Sequence, residues 1–300
     1  MGEKIGLVAP ASAVTEEEIA DSLFTMRAMG LVPQLGDNVA QRHGYLAGTD
    51  AQRAADLNAM FAKEDISAIF AIRGGWGVAR LLDLLDWEMI RRNPKLVIGY
   101  SDITALHLAI AAKTGFASLH AQNANGTWPK ESWESLWRLG FTGETPTLVS
   151  ERTVPGLITR TVTNGNAQER LLGGNLTILS TLMGTPWLPD FDSGILFIED
   201  VGEEEYRVDR MLQQLKLAGL LQKLSGIVIG SCNSCVTDDP DYNGLSLDHV
   251  IGHHIRPLGI PAFVGANVGH HYSQLSLPHG AKVEMDAEAH TIRLLEPIVR

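Results

Sequence analysis

The feature that most constrains this chain is an apolar run, residues 96–98, that stops at Gly99 and meets a helical pattern just after Ser101. A run rich in Val and Ile predicts a buried strand, and the residues from Asp102 onward favour the start of a helix. A strand that turns directly into a helix exposes the side chain at the corner, as in the nucleophile elbow. The usual pentapeptide G-x-S-x-G is not matched here, so a helix cap at Ser101 or Asp102 is the competing interpretation.

A second predicted strand, residues 67–72, leads into the glycine corner Arg73-Gly74-Gly75-Trp76-Gly77. Three glycines in five residues allow the backbone to approach a ligand closely. Such a corner can bind phosphate through its N–H groups, supply one donor of an oxyanion hole, or be a plain tight turn. Neither G-x-G-x-x-G nor G-x-x-x-x-G-K-[ST] is present, so no specific motif supports nucleotide binding.

Two more strand ends carry polar residues. Glu199 and Asp200 follow the apolar strand 194–198, and His270 and His271 lie in a glycine-flanked loop after another short strand. Polar residues at strand ends of α/β proteins often line the ligand crevice. A serine hydroxyl becomes a nucleophile when a histidine takes its proton and a carboxylate orients that histidine. Serine, acid and histidine therefore occur in an order found in other hydrolases.

Strands alternate with helical stretches along the first half of the chain, which predicts an α/β fold with a mainly parallel, doubly wound sheet. Thr15 followed by Glu18 predicts a capping box at the first helix. Residues 146–168 are rich in turn residues and predict a linker or hairpin. We therefore predict an N-terminal domain over residues 1–145 and a smaller C-terminal α/β domain over residues 169–300.

Composition limits the possible functions. The chain has 300 residues, 45% of them hydrophobic, which is enough for a large core in two domains. A formal net charge of −11 argues against nucleic acid or an anionic membrane as a partner, because both require basic surfaces. The sequence shows no leader pattern and no apolar run of membrane-spanning length, so we expect a soluble, cytoplasmic protein.

Metal and redox signals are weak. Cys232 and Cys235 form a single C-x-x-C followed by a predicted loop, residues 238–241, and we interpret them as two ordinary thiols. A calcium-loop spacing that begins at Asp239 has Val250 where glutamate is required. No H-E-x-x-H occurs, and the histidines outside the glycine-flanked loop are interpreted as structural, namely His107, His120, His253 and His254. No metal or other cofactor is predicted.

Together these stretches resemble the LD-carboxypeptidases of murein recycling and the related microcin C self-immunity hydrolases. The resemblance extends over nearly the whole chain, and many matches in order are more specific than any one of them. The matching stretches are residues 8–12, 45–49, 73–77, 99–102, 173–176, 184–186, 196–201, 206–208, 269–270 and 277–281.

The resemblance implies a serine peptidase triad with Ser101 as nucleophile, His270 as general base and Glu199 as orienting acid. It also implies an oxyanion hole formed by the backbone N–H groups of Gly75 and Asp102. Ser101 then belongs to the first predicted domain, whereas the acid and the base belong to the second. The site is therefore expected between the domains. The family's motif selects these residues over nearby rivals, namely Glu203, Glu204, Glu205 and His271.

The function implied is a metal-free, cytoplasmic and homodimeric serine carboxypeptidase that cleaves an L,D-amide bond. Its expected substrate is a small peptide, murein tetrapeptide, from which it releases terminal D-alanine in peptidoglycan recycling. An anionic peptide needs a cation in the cleft, for which Arg73 and Arg207 are candidates, although ordinary ion pairing also explains both. Two alternatives stay open: a microcin-C-type hydrolase of aminoacyl nucleotides, and a non-catalytic two-domain peptide-binding protein.

Overall fold

The computed structural model describes residues 2–150, 153–154, 157–237, 239 and 241–299. Its first half alternates strands and helices, as the sequence predicts. In chain order these elements are β1 (Lys4–Val8), α1 (Glu16–Ala28), β2 (Val32–Leu35), α2 (Asp50–Ala62), β3 (Ala68–Ala71), α3 (Trp87–Arg92), β4 (Leu96–Gly99), α4 (Thr104–Lys113), β5 (Ser118–His120) and α5 (Lys130–Gly140). Two 3₁₀ segments, Val78–Leu84 and Ser101–Ile103, lie between them.

The second half contains more strands than helices. Its elements are β6 (Thr147–Val149), β7 (Thr153–Val154), β8 (Leu157–Ile158), β9 (Arg160–Thr163), β10 (Asn166–Asn175), α6 (Leu176–Thr181), β11 (Ile195–Val201), α7 (Glu205–Leu217), β12 (Gly226–Asn233), α8 (Leu247–Ile255), β13 (Ala262–Val264), β14 (Leu277–His279), β15 (Lys282–Asp286) and β16 (Thr291–Leu294). Among the described residues, no helix has both the length and the apolar character needed to cross a lipid bilayer.

The first sheet has the strand order β14-β5-β4-β3-β1-β2, in which β1 to β5 are mutually parallel. Strand β4 is buried along its whole length, as expected for a parallel strand covered on both faces. The order reverses between β1 and β3, and ligands of open α/β sheets bind at such a switch point. The chain leaves β3 through the glycine corner, so this corner lies at the predicted ligand crevice.

The second sheet has the order β6-β16-β15-β10-β11-β12-β13-β9. Its centre, β10 to β13, is parallel, whereas the strands added on either side pair antiparallel. The mixed α/β, two-domain architecture predicted from the sequence is confirmed. Parallel pairing brings the carboxyl ends of β11, β12 and β13 to one edge, where Glu199 and the loop before His270 are found.

The segment predicted as a linker or hairpin, residues 146–168, contains short strands where it is described, and two of them, β7 and β8, pair antiparallel with each other. Strand β6 pairs with β16 at one edge of the second sheet, and β9 pairs with β13 at the other. A turn-rich composition suits short edge strands as well as a linker, so composition did not separate the two. Residues 151–152 and 155–156 lie outside the described residues. Strand β14 returns from the C-terminal half of the chain to pair with β5 of the first sheet. The domain boundary stays a prediction.

Local signals at two places agree with the structure. Thr15 and Glu18 form the predicted capping box, in which each side chain accepts a hydrogen bond from the other residue's backbone N–H. His107 is fully buried, and burial lowers its pKa to about 4, so its imidazole is neutral near pH 7. Because the Gly99 carbonyl only accepts, His107 Nε2 donates to it at 2.9 Å and holds the end of β4.

The prediction of two free thiols is wrong. Cys232 and Cys235 form a disulfide at the end of β12, and no free cysteine occurs among the described residues. The strand ends at Asn233, and the chain then turns through Ser234 with a positive φ of 55°. This turn brings the two side chains together, which spacing alone did not indicate. Residues 238 and 240 of the loop predicted to follow lie outside the described part of the chain.

Candidate active site

Ser101 lies at a strained corner between β4 and α4. Its φ is +65°, a left-handed conformation that residues other than glycine rarely adopt. Neither of the turns that begin here has a side-chain cap, so the helix-cap interpretation of Ser101 and Asp102 does not hold. Strain of this kind accumulates at functional sites, and an elbow uses it to expose the serine hydroxyl.

The structure brings together the three residues that the resemblance names. His270 Nδ1 lies 2.7 Å from Glu199 Oε2, and His270 Nε2 lies 3.2 Å from Ser101 Oγ. A carboxylate only accepts, so Nδ1 carries the proton toward Glu199. In the neutral imidazole Nε2 is then the acceptor, and it receives the hydrogen bond of the Ser101 hydroxyl. The tautomer is therefore the one in which histidine takes a proton from serine.

Burial and charge determine how this histidine titrates. Burial by itself lowers the pKa of His270, but the hydrogen bond and the charge of Glu199, with a smaller contribution from Asp200, raise it above the usual value. Glu199 is only 2% exposed, and its Oε2 also accepts the backbone N–H of His270 at 3.2 Å. Tyr100 packs on the imidazole, and burial followed by the nearby Glu199 charge raises its pKa to about 12. The phenol therefore stays neutral beside the histidine.

The glycine corner lies directly against Ser101. A Cβ added to Gly74 would be 2.8 Å from the Cβ of Ser101, and one added to Gly75 would be 2.1 Å from Ser12 Oγ. Gly75 also has a φ of +116°, so only glycine fits there without strain. Ser12 Oγ accepts the N–H of Trp76 at 3.3 Å. Among the sequence motifs, Ser12 occurs only in the matching stretch 8–12. Its position just after β1 is the signal that could have identified it as a residue of the site.

The rival acids and the rival histidine have other partners. Glu203 accepts from the hydroxyl of Thr177, and Glu205 accepts the N–H of Thr237. Glu204 occupies the N-cap position of α7. Nδ1 of His271 accepts the Ser273 N–H at 3.4 Å. None of these contacts places a rival at the Ser101 hydroxyl.

Two residues that sequence reasoning missed connect the halves of the site. The Thr104 hydroxyl, one turn beyond the elbow, accepts the N–H of Asn175 at 2.9 Å. The Asn175 side chain donates to Asp200, the residue after Glu199. A Cβ at Gly174 would be 2.4 Å from the Thr104 hydroxyl, so this close approach also needs glycine. Hydrogen bonds therefore link the start of α4, just after Ser101, to the end of β11, which carries Glu199.

Both candidate arginines take part in ion pairs. Arg73 Nη1 lies 3.1 Å from Glu18, which also accepts from the Asn125 amide. Arg207 lies 3.7 Å from Glu203 and contacts Tyr206. Within the described ranges, no group of three or more His, Cys, Asp or Glu side chains is arranged to hold a metal ion.

Replacement of Gly269 by alanine is expected to lower kcat by about 10²-fold, because misplacement of a catalytic group by about 1 Å has that effect. Gly269 has a φ of +98°, and an added Cβ would be 2.5 Å from both Cβ and Oε2 of Glu199. Steady-state kinetics and thermal unfolding would measure the change. Gly259→Ala is the matched control, since Gly259 has a φ of +65° with no atom within 4 Å of its added Cβ. Equal losses in the two variants would contradict the prediction.

A serine, a histidine and a carboxylate joined by hydrogen bonds at the edge of parallel strands define the geometry of a serine-type hydrolase. Residues 5–121 match the family model described as the LD-carboxypeptidase N-terminal domain, and residues 168–285 match the LD-carboxypeptidase C-terminal domain. The chain is 36% identical over 298 residues to the probable murein peptide carboxypeptidase of Bacillus subtilis (strain 168), covering 97% of this chain and 91% of the relative. It belongs to the LD-carboxypeptidase family and is a serine-type carboxypeptidase.

Two solved structures are similar over essentially the whole chain. Muramoyltetrapeptide carboxypeptidase from Oxalobacter formigenes has a TM-score of 0.83 and 27% identity, covering 98% of this chain and 99% of that one. The microcin immunity protein MccF in complex with glutamyl sulfamoyl guanosine has a TM-score of 0.88 and 25% identity, covering 100% of this chain and 97% of that one. The recognised family is therefore confirmed, and its two branches share this fold.

Proposed function

We propose that this protein hydrolyses the L,D-amide bond of murein tetrapeptide and releases its terminal D-alanine. The observation that carries the proposal is the hydrogen-bonded series of Ser101, His270 and Glu199. His270 is 169 residues from Ser101 in the chain and 71 residues from Glu199. Relatives whose names state murein peptide or muramoyltetrapeptide carboxypeptidase activity support the choice of substrate. A cytoplasmic location, a homodimer and a role in peptidoglycan recycling stay predictions.

In the proposed mechanism the Ser101 hydroxyl attacks the scissile carbonyl while His270 Nε2 takes its proton. Glu199 stabilises the imidazolium that forms. The negative charge on the carbonyl oxygen is stabilised by the backbone N–H groups of Gly75 and Asp102. His270 then gives the proton to the departing amine, so D-alanine leaves as the C–N bond breaks. Water, activated by the same histidine, attacks the acyl-enzyme and restores the Ser101 hydroxyl.

The test is mass-spectrometric detection of the free terminal alanine released from purified tetrapeptide and, in a separate incubation, from its isomer ending in L-alanine. We expect rapid release from the L,D-peptide and at least about tenfold slower cleavage of the isomer, since a wrongly oriented centre loses the near-attack geometry. Addition of a chelator is expected to leave the rate unchanged. Absence of release from folded protein, or equal cleavage of both isomers, would contradict the proposed function.

A second candidate is hydrolysis of an aminoacyl nucleotide. The similarity to MccF in complex with glutamyl sulfamoyl guanosine favours it, together with a groove of about 590 Å³ that includes His271 and the exposed Tyr272. Tyr272 follows His270 by two residues, and an exposed aromatic ring is suited to stacking on a nucleobase. Incubation with glutamyl sulfamoyl adenosine, followed by chromatography for free glutamate, separates the two candidates. Cleavage of this compound without cleavage of the tetrapeptide would move the assignment to the second.

A further inference from the structure

Asp102 has a side chain whose role the proposed mechanism leaves unexplained. It is completely buried, and its Oδ2 accepts the backbone N–H of Val78 at 2.9 Å. Its Oδ1 has no hydrogen-bond partner among the described residues. Burial raises the pKa of this carboxyl to about 7. The N–H group of Val78, the charge of Arg53 and the N–H group of Gly77 act in the opposite direction and lower the pKa, but burial outweighs them. A buried carboxyl is costly to keep, and it does not cap the helical turns that follow it in the chain.

Asp102 binds the end of the glycine corner, and Arg53 binds the same peptide unit from the other side. Arg53 is 1% exposed, and its Nη1 donates to the Gly77 carbonyl at 3.0 Å and to the Pro10 carbonyl at 2.5 Å. The segment from Gly77 to Val78 is thus held through its carbonyl by Arg53 and through its N–H by Asp102. A Cβ at Gly77 would be 2.7 Å from Arg53 Nη1, so the fit is close.

The position of this segment matters because the two proposed oxyanion donors come from different parts of the chain. Gly75 lies on the glycine corner, whereas Asp102 lies on the elbow after β4. Oxyanion donors must lie 2.7–3.1 Å from the developing charge, so a small shift of one segment removes its contribution. Asp102 provides one donor from its backbone and fixes the segment of the other with its side chain.

We propose that the Asp102 side chain, opposed by Arg53, is a positioning residue that sets the distance between the two oxyanion donors. This inference rests on the proposed function of Ser101 and the oxyanion hole. It predicts that removal of the Asp102 carboxylate weakens stabilisation of the transition state rather than binding of the substrate. Asp102→Leu, which has a similar size but no oxygen to accept the Val78 N–H, is the primary variant.

The experiment compares the tetrapeptide with its thionopeptide, in which sulfur replaces the scissile carbonyl oxygen. Sulfur is larger and a weaker acceptor, so an intact oxyanion hole favours the oxygen substrate strongly. We expect Asp102→Leu to lower kcat on the oxygen substrate by about 10²-fold, with KM within about threefold of wild type. Turnover of the thionopeptide should fall far less, so the oxygen-to-sulfur rate ratio should drop at least about tenfold.

Asp56→Leu is the matched control. Asp56 is a buried carboxylate in the same half of the molecule, and it accepts the Asn38 N–H rather than a group of the glycine corner. We expect it to keep the wild-type oxygen-to-sulfur ratio. If Asp102→Leu does not fold, Arg53→Lys tests the opposite side of the same segment and should also lower the ratio.

The outcomes separate this inference from the proposed function. A wild-type enzyme that cleaves the tetrapeptide with a large oxygen-to-sulfur ratio, beside variants with a reduced ratio, supports the inference. Unchanged ratios in Asp102→Leu and Arg53→Lys, with wild-type cleavage intact, overturn it and leave the triad untouched. A wild type that does not cleave the tetrapeptide at all counts against the proposed function instead.

Discussion

Replacement of Ser101 by alanine is expected to abolish D-alanine release, with kcat lowered by about 10⁶-fold, as for loss of a serine nucleophile in other hydrolases. The variant keeps the glycine corner and the histidine, but no oxygen remains 3.2 Å from His270 Nε2 to attack the carbonyl. Substrate binding should be retained, so KM or the peptide dissociation constant should change little. Mass spectrometry of released D-alanine and isothermal titration with uncleaved tetrapeptide measure the two effects.

Ser67→Ala is the control for this substitution. Ser67 precedes β3 at the other end of the strand from the glycine corner, where its hydroxyl donates to the Lys4 carbonyl. It should retain wild-type turnover. A fluorophosphonate probe should label wild type and Ser67→Ala but not Ser101→Ala, which also tests the alternative of a non-catalytic peptide-binding protein. Continued turnover in Ser101→Ala would show that the nucleophile is elsewhere.

Replacement of Glu199 by glutamine is expected to lower kcat by about 10⁴-fold, because an amide at this place favours the wrong imidazole tautomer and does not stabilise the imidazolium. Since Glu199 helps to raise the pKa of His270, wild-type activity should fall as the pH drops through a value above 6.5, where the base becomes protonated. Without that carboxylate the pKa of His270 is lower. The acid limb of the residual activity should therefore move to lower pH.

A full pH profile of kcat over KM for wild type and Glu199→Gln measures this shift. Glu284→Gln is a suitable control, because Glu284 forms an ion pair with Arg293 on the second sheet and has no contact with the site. It should keep both the rate and the acid limb. An unchanged profile in Glu199→Gln would transfer the acid's role to a neighbour such as Asp200.

Several features could be predicted because they depend on neighbours in the chain. The buried strands β4 and β11 follow from their apolar runs, and the capping box of α1 follows from Thr15 and Glu18. The glycine corner follows from torsions that only glycine adopts easily. The chain's motifs also identified the LD-carboxypeptidase family, which the comparisons confirm. Sequence therefore determined the fold class, the strand ends and the residue types available there.

Tertiary structure decided which of those residues meet. Ser101 and His270 are 169 residues apart, and their distance depends on how the two sheets pack, which no local pattern encodes. The same packing selects Glu199 as the partner of His270 and turns residues 147–149 and 160–163 into edge strands. It also places the Asp102 carboxyl against the glycine corner. These contacts depend on distances in space, which spacing along the chain does not determine.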